Sequence, residues 1–219
     1  MALSAKRKPV RDVRRKILEM ARDHLRRFGE RKMTIVEIAR SLGMSHANIY
    51  RFFSGKSEIV DALMDDWLAK VESLLAPIIE RPVSAAERIE AVILELHRKR
   101  REKLRTDGRF YEAFRSLIST RPDAIKKRDW KIFDVFRKLI ADGVRAGEFP
   151  PLDCDEAAGA LEDATGIFLH PLTIPAILNE LTESRVRRVV RYLLAGFGRA
   201  GAQPPQKKIS RRVSVRARR

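Results

Sequence analysis

Apolar residues recur along this chain at spacings of three and four, and no stretch before the C-terminal tail sustains the strict alternation of a half-buried strand. The pattern predicts an all-α protein. A first helix is expected from about Asp12 to Phe28, with Ile17, Leu18, Ala21, Leu25 and Phe28 on one face and Gly29 closing it. A second is expected from Thr34, where Thr34 and Glu37 have the spacing of a capping box and Ile35, Ile38, Ala39 and Leu42 form the apolar face. Gly43 breaks it, and Ser45 is placed to cap a third, very short helix running through Phe52. A fourth begins near Lys56 with the stripe Ile59, Leu63, Trp67, Val71, Leu74 and Ile78, and Pro77 is expected to kink or end it.

The remainder reads the same way. Ser84 and Glu87 make a second capping box, opening a helix that ends in the basic run from His97 to Arg101. Phe110, Phe114 and Leu117 mark another helix. Pro122 suits the first turn of a long one in which Ile125, Phe133, Phe136, Ile140 and Val144 face inward, up to Gly147. Pro150-Pro151 is a linker. Asp153 and Glu156 cap a helix rich in small residues, Ala157 to Ala160, Ala164 and Gly166, interrupted by Pro171 and Pro175. The last helix is expected from about Thr182 to Phe197, with Val186, Val189, Val190, Leu193, Leu194 and Phe197 on one side. From Ala202 the composition collapses to Pro, Gln, Ser and basic residues, which is the signature of a disordered tail. The organisation expected is an N-terminal three-helix domain over residues 1–56, a larger helical domain over 57–201 and a basic tail over 202–219.

Charge sharpens this picture. The chain of 219 residues carries a formal net charge of +17. Residues 1–56 hold 15 Lys/Arg against 5 Asp/Glu, residues 57–201 hold 24 of each, and residues 202–219 hold 7 basic residues and no acid. A neutral body with two basic ends is the footprint of a partner rich in negative charge, and nucleic acid fits it best. The N-terminal arm, with Lys6, Arg7, Lys8 and Arg11, belongs to that footprint.

Enzymatic readings find little. One cysteine, Cys154, builds neither a disulfide framework nor a thiolate metal cluster. His24, His46, His97 and His170 have no ligand spacing, so no metal is expected. Gly196 to Gly201 matches G-x-G-x-x-G in letters, but it follows a helix and precedes the tail, where a dinucleotide loop needs a strand before it and a helix after it. No nucleophile stands in a catalytic setting, and neither an enzyme nor a cofactor is expected. Met1 to Lys16 lacks the apolar segment of a signal peptide, and no run of about 18 apolar residues occurs, so a cytoplasmic protein is expected.

The second and third helices meet at Leu42-Gly43-Met44-Ser45, giving a helix, a tight glycine turn and a helix. In a helix-turn-helix the second helix of the pair offers polar side chains from its first turn to base edges in the major groove. Here the outward candidates are Ser45, His46, Ala47, Asn48 and Arg51, with Ile49 and Phe53 inward. Asn48 suits a bidentate pair with adenine and equally a phosphate. Tyr50 offers a phenol at the helix edge, or a half-buried aromatic. Lys56, and Thr34 likewise, stand at helix N-termini, where backbone N–H groups favour a phosphate; Lys56 also reads as a solvated surface lysine.

These residues carry a resemblance. Ile38-Ala39-Arg40-Ser41-Leu42-Gly43-Met44-Ser45, then Ile49-Tyr50-Arg51-Phe52-Phe53 and Lys56, preceded by Ile17-Leu18-Glu19-Met20-Ala21 and Gly29, resemble the signature of the TetR family of transcriptional regulators over about residues 13–63. Beyond residue 63 the likeness is architectural. The chain departs from the family in having Leu25 where Phe is frequent, and Ala47-Asn48 where Gly-Thr is common, so the operator is not carried over. The resemblance implies that Tyr50 and Lys56 contact phosphates and that the start of the third helix reads bases. It further implies a homodimer repressing by occupancy of a palindrome, with a small-molecule effector in the C-terminal domain. Phe110, Phe114, Trp130, Phe133 and His170 are the candidate pocket residues, against the plainer readings of a core stripe and a structural histidine. The rival function is a non-specific architectural DNA-binding protein.

Overall fold

In a computed structural model, residues 7–170, 172–173 and 175–200 are described, and these residues form helices and connections with no strand among them. The basic tail, Lys6 and Gly201 lie outside the described residues, as do the side chains of Arg7, Lys8, Arg11 and Ile125. In chain order the elements are α1 (Arg7–Lys32), α2 (Ile35–Ser41), α3 (His46–Tyr50), α4 (Lys56–Ile79), α5 (Ala85–Thr106), α6 (Gly108–Ser119), α7 (Pro122–Arg145), α8 (Cys154–Leu169), α9 (Pro175–Glu180) and α10 (Glu183–Ala200).

The helix boundaries follow from local chemistry. Gly29 leaves the helical region at φ 76° and breaks α1 where expected, although a further turn follows it. Thr34 caps α2 by accepting from the Glu37 amide at 3.2 Å. The expected capping box is only half made, because the Glu37 carboxylate turns to Arg40 at 3.0 Å instead of reaching back. The α5 box is complete: the Ser84 hydroxyl accepts from the Glu87 amide, and Glu87 accepts from the Ser84 amide. Glu148 adds to it from outside, its two oxygens accepting from the Ala85 and Ala86 amides at 2.5 and 2.7 Å. Helix α4 runs two residues beyond Pro77, which forfeits one backbone bond, the one to the Ser73 carbonyl, and ends the helix within the following turn without stopping it at once. The Asp153 carboxylate alone caps α8, accepting from the Asp155 and Glu156 amides.

Two cores form. One joins α1, α2, α3 and the start of α4 through Ile17, Ala21, Leu25, Ile38, Ile49, Phe53, Ile59 and Leu63, and it takes in Leu117 from α6. The other is built from α5, α7, α8 and α10, with the distal part of α4, around Ile89, Ile93, Phe136, Ile140, Leu161, Val186 and Val190. Burial departs from the single-stripe expectation in α4 and α7: Val60, Met64, Leu68 and Leu75 are buried beside the expected stripe, as are Ile132 and Leu139. Both helices have neighbours on more than one side, α4 meeting α1, α5 and α7, and this widens the buried face. Phe28 is an exception in the other direction. It is exposed, with its ring tilted against His24 at 5.4 Å between centroids.

Candidate nucleic-acid interface

The reading head is set by a turn and a cap. At the end of α2, Gly43 takes φ 62°, a conformation that strains any residue carrying a Cβ. That reversal lets the Met44 amide reach the Ala39 carbonyl at 2.9 Å and the Gly43 amide reach the Arg40 carbonyl at 3.1 Å, the paired bonds of a Schellman ending. The chain then emerges in direction for α3. Ser45 opens α3 by accepting from the Asn48 amide at 3.2 Å.

With five residues, α3 is too short to stand by itself. Ile49 and Phe53 anchor it in the core, and the Arg14 guanidinium lies 4.7 Å from the centre of the Phe53 ring. Its opposite side faces solvent. Ser45, His46, Ala47 and Arg51 are exposed, Asn48 is half-buried, and Tyr50 is 54% exposed rather than packed in the core. Thr34 is half-buried with its oxygen engaged in the cap, and Lys56 is the half-buried first residue of α4. The α3–α4 turn is pinned by Glu58, whose carboxylate accepts from the Ser54 amide at 2.6 Å; the Ser54 backbone and hydroxyl donors hold its pKa below the usual carboxylate value.

One residue of this head escaped the sequence reading. His24 is buried on α1, and its Nε2 meets the Ser41 hydroxyl at 2.8 Å, tying α1 to the end of α2 just before the glycine turn. The spacing of His24 from Ile17, Ala21 and Phe28 placed it on the apolar face, and that was the available signal.

Behind the head, α6 lies against α1. The Asp107 carboxylate pairs with Arg26 at 2.8 Å and with Lys103 at 3.3 Å. Burial raises the Asp107 pKa, but these two cations outweigh it and hold the carboxyl low. Arg22 of α1 pairs with Asp66 of α4. Arg26 and Lys103 also lie over the Phe110 ring, at 5.9 and 4.7 Å from its centre.

The five candidate pocket residues do not gather around one space. Phe110 and Phe114 stack on each other at 5.6 Å, Phe114 meets Trp67, and both pack beneath the reading head's core. Trp130 is 66% exposed, edge-on to Phe133, which packs against the C-terminal core. His170 follows the end of α8, and its Nδ1 accepts from the Leu172 amide at 3.2 Å. Aromatic spacing alone could not separate a cavity wall from rings that seal two different cores.

Comparison with known proteins agrees with this geometry. Residues 17–63 match the family described as bacterial regulatory proteins, tetR family, and residues 85–190 match the tetracyclin repressor-like C-terminal domain. The chain belongs to the TetR family. It is 22% identical over 142 residues to the HTH-type transcriptional regulator YhgD of Bacillus subtilis, covering 65% of this chain and 74% of that one. In fold it is similar to a TetR/AcrR-family regulator from Thermobifida fusca, at TM-score 0.60 and 24% identity, covering 85% and 98% of the two chains. A transcriptional regulator from Pseudomonas aeruginosa is similar at TM-score 0.65 and 17% identity, covering 85% and 90%. The protein is therefore a TetR-family transcriptional regulator, of a DNA-binding and non-enzymatic family. Among the described residues, no helix is long and apolar enough to cross a membrane, and no group of three or more His, Cys, Asp or Glu could hold a metal ion.

Proposed function

We propose that this TetR-family regulator is a homodimeric, ligand-responsive repressor that reads a palindromic operator through α3 and works in the cytoplasm, where that operator lies. The observation that carries the reading is the construction of α3, whose first turn is capped by Ser45, held from below by Ile49 and Phe53, and left open to solvent along Ser45, His46 and Ala47. In this division of labour Ser45, His46, Ala47, Asn48 and Arg51 face the groove. Thr34, Tyr50 and Lys56 hold phosphates from the helix edges.

The second protomer is proposed to pack on α8 and α10. Half-buried Val189, Leu193 and Leu194 line α10 beside its buried residues, and Ile167 and Tyr192 are exposed. A Cβ added at Gly159 or Gly166 would meet nothing within 4 Å, so a neighbouring helix has room to approach closely. Helix α4 runs from the reading head into the C-terminal core, which allows a tilt at one end to alter the spacing of two reading helices. A ligand exploits this only by binding one spacing better than the other.

Selection of bound fragments from genomic DNA, followed by footprinting, tests the reading. The expected result is a palindrome with half-sites about one or two helical turns apart, a turn being roughly 34–36 Å. Uniform protection without sequence preference would instead make this an architectural DNA-binding protein, for which the two basic ends are the argument.

A further inference from the structure

Helices α4 and α7 run side by side, and among the described residues four ion pairs join them in the same order along both. Asp61 pairs with Arg121 at 3.1 Å, Asp65 with Lys127 at 2.5 Å, Glu72 with Lys131, and Glu80 with Lys138 at 3.2 Å. Every acid comes from α4 or its cap, and every base from α7 or the residue before it. Around the last two pairs the helices part over a slot of about 260 Å³ that opens to solvent. Its floor is apolar: Leu68, Val71, Leu75 and Ile79 from α4, and Ile132 and Val135 from α7. Its rim is Glu72 and Glu80 on one side and Lys131 and Lys138 on the other.

We infer that this slot binds an amphipathic anion, its apolar body lying between α4 and α7 and its head on Lys138. The inference rests on the ligand-responsive reading above for its regulatory consequence, but not for the binding itself. The sign of the charge follows from burial. In both rim pairs the lysine is the less exposed partner, 36% against 56% for Lys131 and Glu72, and 56% against 74% for Lys138 and Glu80. The lysine stems are thus the more covered and the less free to move, and the carboxylate is the partner more easily displaced into water. Glu80 is the easier of the two to displace, because it caps the C-terminus of α4, where the helix dipole disfavours an anion. The volume sets the size: at ~30 Å³ for a water's share, the slot holds an apolar body of roughly nine such groups. A ligand there separates α7 from the helix that carries the reading head, at the end away from Asp61–Arg121 and Asp65–Lys127.

Decanoate is the probe, with decyltrimethylammonium and decanol as cationic and neutral controls, titrated calorimetrically into the full-length protein without DNA. Saturable binding of one decanoate per protomer is expected, with both controls weaker by roughly tenfold or more. Lys138→Ala should weaken decanoate by a similar factor and Lys138→Arg should retain it. Ala76→Trp, at an exposed position on the slot's lining, should abolish binding while circular dichroism stays unchanged. Non-saturable uptake, equal binding of the cation, or undiminished decanoate binding by Ala76→Trp overturns the site, and Lys138→Ala decides alone if the tryptophan variant does not fold. Operator complexes separate the two ideas. Decanoate that binds without releasing DNA leaves the site standing and overturns its regulatory role, whereas release that survives Ala76→Trp keeps a ligand-responsive protein and overturns this slot as its sensor.

Discussion

Gly143, in the last turns of α7, carries a test of how the C-terminal domain closes. A Cβ built there would lie 2.4 and 2.6 Å from two carbons of the Phe149 ring and 2.9 Å from the Ala85 Cβ. Phe149 has nowhere to go. Its amide and that of Glu148 both donate to the Gly143 carbonyl, at 3.2 and 2.9 Å, and its ring stands edge-on to Phe197 at 5.7 Å. Replacing a mid-helix glycine by alanine ordinarily gains about 0.5–1 kcal/mol, because the unfolded chain loses freedom. Overpacking a filled site costs about 1–3 kcal/mol, and contacts this short put Gly143→Ala in the upper half of that range, so the clash should win by about 1–2 kcal/mol. For a chain of this length that lowers Tm by roughly 2–8 °C. The assay is urea and thermal unfolding by far-UV circular dichroism at one fixed protomer concentration, which holds the mass-action contribution of any dimer equal between variants. Phe149→Ala alone should cost about 3–5 kcal/mol by leaving a cavity, and adding Gly143→Ala to that background should then be neutral or stabilising. Gly143→Ala as stable as the parent protein, or equally harmful in both backgrounds, would refute the reasoning.

Four further outcomes are expected. Asn48→Ala should lose sequence discrimination by about 1–3 kcal/mol if its side chain reads a base, while Lys56→Ala should weaken all duplexes alike and flatten the salt slope by about one unit; binding assays at several salt concentrations would refute this if Lys56→Ala changed the preferred sequence. A Cβ at Gly159 meets nothing within 4 Å in its own protomer, so Gly159→Glu should leave helicity intact and give monomers by sedimentation; an unchanged dimer would exclude α8 from the interface. His97 is buried with Nε2 on the Leu181 carbonyl at 2.7 Å, and burial lowers its pKa against the pull of the Leu181 and Phe168 carbonyls, with Arg100 and Arg101 adding to the lowering. The unfolded chain therefore binds the extra proton first, and Tm should fall as pH drops below about 6.5, less steeply in His97→Gln; equal slopes would rule His97 out. Deleting residues 202–219 should leave folding and operator preference unchanged and lower the magnitude of the salt slope, whereas equal slopes for the full-length and shortened proteins would place the tail away from DNA.

The sequence by itself determined the class of fold, the turn and the start of the reading helix, because periodicity, turn and cap rest on residues a few positions apart. Gly43 adopts its positive φ, Ser45 and Thr34 reach amides three positions on, and Ile49 and Phe53 fall on the covered side of one short helix. Local chemistry of this kind survives in the letters. Tertiary structure decided the rest. The apolar stripe of α6 could have faced either core. Leu117 and the stacked Phe110–Phe114 pair pack against the reading head's core, and the Arg26–Asp107 pair joins α1 to the start of α6 beside them. Of the five candidate pocket residues, Phe110 and Phe114 pack against one core, Phe133 against the other, and Trp130 is exposed, since a period of three or four names a face and not the neighbour it meets. The slot between α4 and α7 had no signal of its own in the sequence. It depends on two helices about sixty residues apart lying parallel, with acids along one and lysines along the other, and only packing puts those two charge rows opposite each other.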